Sequence, residues 1–222
     1  TASPVSWLLA DGGLDPSFLV GGLTANFGSS YRLGQGREFV IEGDEYDSAF
    51  FDKTAKFLKY LPDVAVVGNL EFDHADIYAD FEAIRSAVRR LVALLPQRGL
   101  LVLGADNPAA LEMREDAPCR VMTFGLTEAA EWRATRVEPA PDSTRFVVEH
   151  RGQRVADLRV PLVGEFNVRN ALAAFAVATD AGLDAATIIA SVGRFEGVRR
   201  RLELRGRARG VSVYDDFAHH PT

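Results

Sequence analysis

The sequence predicts an α/β domain: a mostly parallel sheet flanked by helices, with an antiparallel hairpin region added to its edge. Between residues 38 and 125, apolar runs of strand length alternate with segments of helical period, as in a parallel sheet wrapped by helices. From 131 to 162 the pattern becomes alternating and is broken by the turn signals PAPDS and HRGQ, as in hairpins. The chain has 222 residues, 47% of them apolar, enough for one large domain or one with a small appendage.

Taken in order, residues 4–12 read as a helix piece stopped by Gly12-Gly13. The stretch FLVGGLTANFGSSYRLG (18–34) reads as strand and loop around a ligand, or as a glycine-rich turn. EFVIEGD (38–44) predicts a short buried strand ending in acids, and TAKFLKYL (54–61) a helix. DVAVVGN (63–69) is apolar throughout, which suits a strand covered on both faces. In DFEAIRSAVRRLVALL (80–95), Phe81, Ile84, Val88, Leu91 and Leu95 recur at helical spacing. GLLVLGADNPA (99–109) reads as strand then loop, and CRVMTFG (119–125) as a strand. NVRNALAAFAVATDAG (167–182) and DAATIIASVGRF (184–195) are helices, the first alanine-rich and suited to close packing. GVSVYDD (210–216) is a last strand. Trp7 and Trp132 read as packing residues.

Bulk properties narrow the function. A net charge of -6 disfavours a general phosphate-backbone binder, so no nucleic-acid partner is expected, although a nucleotide needs only a local site. The single cysteine, Cys119, excludes an internal disulfide and a cysteine-based zinc site, and a cytoplasmic protein is expected. No apolar run approaches the roughly 20 residues of a membrane-spanning helix, and no signal peptide shows. Both ends look cut, as in a fragment of a longer protein.

Two acidic clusters carry the chemistry. EGDEYD (42–47) and NLEFDHADIY (69–78) each follow an apolar strand pattern. In open parallel sheets, ligands gather beyond the carboxyl ends of the strands. Adjacent strand ends would bring Glu42 and Asp44 near Glu71, Asp73 and His74. Carboxylates, water and phosphate oxygens suit magnesium, whereas the bland alternative is a solvated acidic loop. Asn167 and Asn170 flank the start of the alanine-rich helix, with Asn167 placed to cap it and Asn170 on the same face. GVRRRLELRGRARG (197–210) holds six arginines in fourteen residues, either a grip on phosphate or carboxylate or a surface strand. YDDFAHHP (214–221) lacks zinc-site spacing and suits a hinge or nucleotide contacts. No G-x-x-x-x-G-K-[ST] phosphate loop is present.

Four blocks, EGDEYDSAFFDK (42–53), NLEFDHADIY (69–78), GEFNVRNALAA (164–174) and YDDFAHHPT (214–222), resemble the ATP-dependent Mur ligases of peptidoglycan synthesis. The resemblance extends over essentially the whole chain. FFDK and LEFDHADI resemble the recycling branch, which joins L-alanyl-γ-D-glutamyl-meso-diaminopimelate to UDP-N-acetylmuramate, more than the branch that adds L-alanine. The family's three-domain plan implies that residues 1–214 are the central domain binding ATP and Mg2+. Its phosphate loop would lie upstream of Thr1, and 215–222 would be the hinge to a C-terminal domain. The partners implied are UDP-N-acetylmuramate, the murein tripeptide, and the parent's N- and C-terminal domains. The chemistry implied is attack of the peptide amine on an acyl phosphate of the muramyl carboxylate, and the isolated central domain is expected to be inactive.

The resemblance assigns Glu42 to the magnesium shared with the terminal phosphate and His74 to a second magnesium. Asn170, with Asn167 beside it, would contact the nucleotide. Arg201, with Arg200 next to it, would reach the phosphates. Asp216, with Asp215, would lie near the ribose and hinge, and the 21–34 stretch near the muramyl substrate. Glu42, His74 and Arg201 form the implied catalytic set. Two departures stand out. Phe166 occupies a position where many relatives carry histidine, and Phe81–Leu95 contains no lysine to match the carbamylated lysine of several relatives. The rival readings are the L-alanine-adding ligase and a non-catalytic α/β nucleotide-binding module.

Overall fold

The computed structural model describes residues 1–72 and 77–218. The chain opens with helix α1 (Ala2–Asp11), then strands β1 (Ser17–Thr24), β2 (Ser29–Arg32) and β3 (Phe39–Ile41). β4 (Asp47–Ala49) and β5 (Asp52–Ala55) form a small hairpin, followed by one 3-10 turn at Lys56–Lys59 and strand β6 (Val64–Val67). Helix α2 (Phe81–Ala93), strand β7 (Leu100–Gly104), the short helix α3 (Pro108–Glu112) and strand β8 (Arg120–Gly125) complete the alternating part. The hairpin region is β9 (Trp132–Ala140), β10 (Ser143–His150) and β11 (Gln153–Val160). Helices α4 (Glu165–Asp180) and α5 (Ala185–Gly193) and strands β12 (Glu203–Ala208) and β13 (Val211–Asp215) follow.

The main sheet has six strands in the order β11-β10-β9-β8-β7-β6. β6, β7, β8 and β9 run parallel, and β10 and β11 extend the sheet antiparallel. The expected hairpins therefore sit on the edge of a parallel sheet, and their turns fall at the two predicted places.

β7 shows why its residues read as a continuous apolar run. Leu100 and Val102 join one core with α1, α4 and α5, while Leu101 and Leu103 join a second core with α2. Side chains alternate across a strand, so a strand covered on both faces must be apolar at every position. All five β7 residues are buried. Its last residue, Gly104, lies so close to β6 that an added Cβ would stand 1.8 Å from the Gly68 carbonyl oxygen. α4 uses small residues for the same purpose: Ala171, Ala173, Ala174, Ala176 and Ala178 are all buried around Leu172 and Phe175. Trp132 is buried and stacks on His150 at 4.2 Å between ring centroids, and Trp7 donates its indole N–H to the Ser191 carbonyl, so both tryptophans are packing residues.

Four expectations need correction. β3 does not belong to the main sheet; it pairs parallel with β1 in a separate sheet of order β2-β1-β3. With a neighbour on one side only, it is not buried, and Phe39 is 61% exposed. β6 is the edge of the main sheet rather than a strand covered throughout, and Val64 is 41% exposed. Residues 54–61 form the end of β5 and a single 3-10 turn instead of a helix; only Phe57 of that turn is buried, too few apolar anchors to hold a longer amphipathic element.

β12 and β13 pair only with each other, and their apolar residues Leu204, Val211, Val213 and Tyr214 are exposed. The chain enters this hairpin from a bridge between Thr24 and Val198 and a bond from the Arg199 amide to the Leu23 carbonyl. The expected boundary at 214/215 falls inside β13, which ends at Asp215.

Candidate functional site

The structure joins Asn170 to Thr1 across the chain. The Thr1 hydroxyl donates to Asn170 Oδ1 at 2.6 Å.

Glu42 follows β3 directly. Its amide bonds to the Leu19 carbonyl and its Oε2 accepts from the Gly21 amide at 2.6 Å, so β1 fixes one carboxylate oxygen. The following residues are stapled to the 3-10 turn: Lys56 Nζ donates to Asp44 Oδ2 at 2.8 Å, and the Phe57 amide to the Asp44 carbonyl at 3.1 Å. That hydrogen bond, against some desolvation, raises the Lys56 pKa.

Sheet pairing does not join the two acidic blocks, because β3 and β6 belong to different sheets. A tyrosine does. The Tyr78 hydroxyl donates to the Glu45 carbonyl at 2.9 Å, tying the end of the second block to the first. Desolvation first, then Glu45, Asp47 and Asp44, pushes the Tyr78 pKa up, so the phenol stays protonated as the donor. His74 and Asp73 lie outside the described residues. Glu71 accepts from Asn69 Nδ2 at 2.9 Å. Among the described residues no group of three or more histidine, cysteine or acidic side chains is arranged to hold a metal.

Asn167 does not cap α4. The cap is Gly164, whose φ of 103 favours glycine, with no side-chain hydrogen bond to the helix. Asn167 lies in the first turn and donates Nδ2 to the Val163 carbonyl at 2.9 Å. Phe166, 49% exposed, crowds Gly164: a Cβ there would stand 2.6 Å from its ring.

Arg200, Arg201, Asp215 and Asp216 form a second cluster of expected site residues, around the entry to β12. Both guanidinium groups lie over the Phe217 ring, at 5.4 Å for Arg200 and 5.8 Å for Arg201. Asp216 accepts from the Leu202 amide at 2.8 Å and the Ala218 amide at 2.6 Å. Asp215 accepts from Arg205 at 2.8 Å and lies 3.7 Å from Arg200; the Arg205 hydrogen bond, against some desolvation, lowers its pKa. In this arrangement the two acids shape the arginine turn. Of the two readings left open for 197–210, the surface strand describes part of it: Arg205 and Arg207 lie on exposed β12.

Sequence reasoning missed one acid–arginine pair. Asp106 follows the carboxyl end of β7 and accepts from the Leu126 amide at 2.9 Å, the Thr127 amide at 3.0 Å and Arg169 Nε at 2.6 Å. Desolvation pushes its pKa up, but the Arg169 bond and the two amides outweigh it, and the net shift is down. The only sequence signal was an acid placed after a strand.

Comparison with known proteins bears on this geometry. The family described as Mur ligase middle domain matches residues 32–178. A UDP-N-acetylmuramate–L-alanyl-gamma-D-glutamyl-meso-2,6-diaminoheptandioate ligase of Escherichia coli (strain K12) is 41% identical over 222 residues, 100% of this chain and 48% of its own length. A UDP-N-acetylmuramate–L-alanine ligase of Salinibacter ruber is 39% identical over 222 residues, 100% of this chain and 45% of its own length. The crystal structure of a UDP-N-acetylmuramate:L-alanyl-gamma-D-glutamyl-meso-diaminopimelate ligase from Neisseria meningitides superposes with a TM-score of 0.81 at 40% identity, covering 90% of this chain and 63% of that one. The chain spans about half the length of the curated relatives it matches.

Proposed function

Because this chain belongs to the Mur ligase family, we propose that it is the ATP- and Mg2+-binding central domain of an amide-forming ligase acting in the bacterial cytoplasm. The full protein would join UDP-N-acetylmuramate to L-alanyl-γ-D-glutamyl-meso-diaminopimelate in peptidoglycan recycling. The carrying observation is the family match over residues 32–178, with Glu42 fixed by the Gly21 amide, Asn170 bonded to Thr1 and Arg201 held over Phe217. A carboxylate, an amide and a guanidinium are the groups that suit a hard cation, a nucleotide edge and a phosphate.

Glu42 would supply one oxygen ligand to magnesium. The Gly21 amide holds Glu42 Oε2, which leaves Oε1 to serve as an oxygen ligand, and His74 would complete a second position. Magnesium, when bound, would offset charge on the transferring phosphoryl group. Arg200 and Arg201 would grip phosphate oxygens while Phe217 limits their rotamers. Asn170, with Asn167 beside it in the α4 first turn, would contact the nucleotide. Asp215 and Asp216 would hold the arginine turn and lead through 215–222 into a further domain. The muramyl carboxylate, activated as an acyl phosphate, would then meet the peptide amine.

Specificity for the tripeptide is supported by the FFDK and LEFDHADI stretches. The test uses the full-length ligase with UDP-N-acetylmuramate and Mg-ATP, following phosphate release with tripeptide or with L-alanine. Release with tripeptide alone supports the recycling ligase, and release with L-alanine moves it to the alanine-adding branch. Release with neither favours a non-catalytic nucleotide-binding module. The 222-residue chain by itself should release none, since it contains no phosphate-loop lysine motif.

A further inference from the structure

We propose that Asp106 and Arg169 are positioning residues for the nucleotide: together they fix the first turn of α4, so that Asn170 stays bonded toward Thr1. The proposal rests on the nucleotide reading above.

α4 begins without the anchor most helices have. Gly164 supplies no capping side chain, and Asn167 bonds backward to the Val163 carbonyl. The restraint comes from Arg169, one residue before Asn170. Its Nε donates to Asp106 Oδ2 at 2.6 Å, and its NH1 to Glu165 Oε2 at 3.3 Å. Asp106 is itself immobilised, with 15% of its side chain exposed and its oxygens taking the Leu126 and Thr127 amides. One carboxylate thus ties the carboxyl ends of β7 and β8, adjacent in the main sheet, to the helix turn that presents Asn170. Charge-assisted bonds of this kind are short and directional, so they set rotation about the helix axis as well as distance. A small rotation of that turn would carry Asn170 away from Thr1.

The test measures Mg-ADP affinity of the full-length ligase by isothermal titration calorimetry, with melting temperature alongside. Arg169→Met removes the helix side of the clamp and leaves the two amide bonds of Asp106 in place. Its Kd should rise about tenfold, the scale of one charge-assisted hydrogen bond. Arg169→Lys, which keeps the charge but not the fork, should fall between. UDP-N-acetylmuramate affinity should stay within about twofold, and melting within about 3 °C. Asn170→Ala serves as the reference for lost nucleotide contact. A weakened Asn170→Ala beside an Arg169→Met within about twofold of wild type overturns the clamp and leaves the nucleotide reading intact. If Arg169→Met does not fold, a wild-type affinity for Arg169→Lys overturns it. Absence of Mg-ADP binding by the wild type overturns the nucleotide reading and the clamp with it.

Discussion

Glu42 shows how neighbours fix the position of one side chain. The Gly21 amide holds one of its oxygens and the Asp44–Lys56 pair holds the loop that follows. Glu42→Gln keeps the size and loses the charge, and phosphate release by the full-length ligase should fall roughly 100-fold or more. Tyr78→Phe is milder. It removes the hydroxyl that reaches Glu45, and the magnesium concentration for half-maximal activity should rise about fivefold, the scale of one hydrogen bond, with melting little changed. Asp106 adds a pH effect. Its pKa is depressed below the ordinary 3.8, so its stabilisation is complete above that value and is lost as pH falls through the depressed one. The melting-temperature gap between wild type and Asp106→Asn, followed by circular dichroism, should be full at neutral pH and close on acidification through that window. Much of this was legible. An acid after an apolar strand singled out Glu42, and two asparagines three positions apart singled out Asn170. Arg169 was not legible, because its partner is 63 residues away and no local pattern links them.

At the scale of elements, apolar period was a good guide wherever packing is two-sided. β7 read correctly because each of its positions meets a core, and α4 because an unbroken run from Ala171 to Ala176 is buried. β3 and the 3-10 turn read poorly because short elements take their form from a pairing partner, and pairing is nonlocal. Gly104 is where two elements come closest. Gly104→Ala would drive a Cβ into the Gly68 carbonyl, 1.8 Å away, at the strand end that leads into the second acidic block. We expect a loss of roughly 3 kcal/mol or more in urea unfolding, since backbone must move on both sides. An alanine at Gly193, with nothing near the added Cβ, is the contrasting control and should cost far less.

In the whole molecule, two cores share one sheet: α1, α4 and α5 cover one face and α2 the other. The sequence pattern revealed that layering and the hairpin extension, but not the separate sheet that carries Glu42. Among the described residues no helix is long and apolar enough to cross a membrane. The exposed β12–β13 hairpin divides the molecule in a way its outline does not show. A two-stranded ribbon with little buried surface opens at a small fraction of the free energy needed to unfold a core. The amides around Arg200 and Arg201 are therefore expected to exchange faster than those of β7 and of α4, the helix that carries Asn170. A ligand held by both would act as a cross-link between two regions of unequal lifetime, and its arrival would be recorded first in the hydrogen exchange of the hairpin.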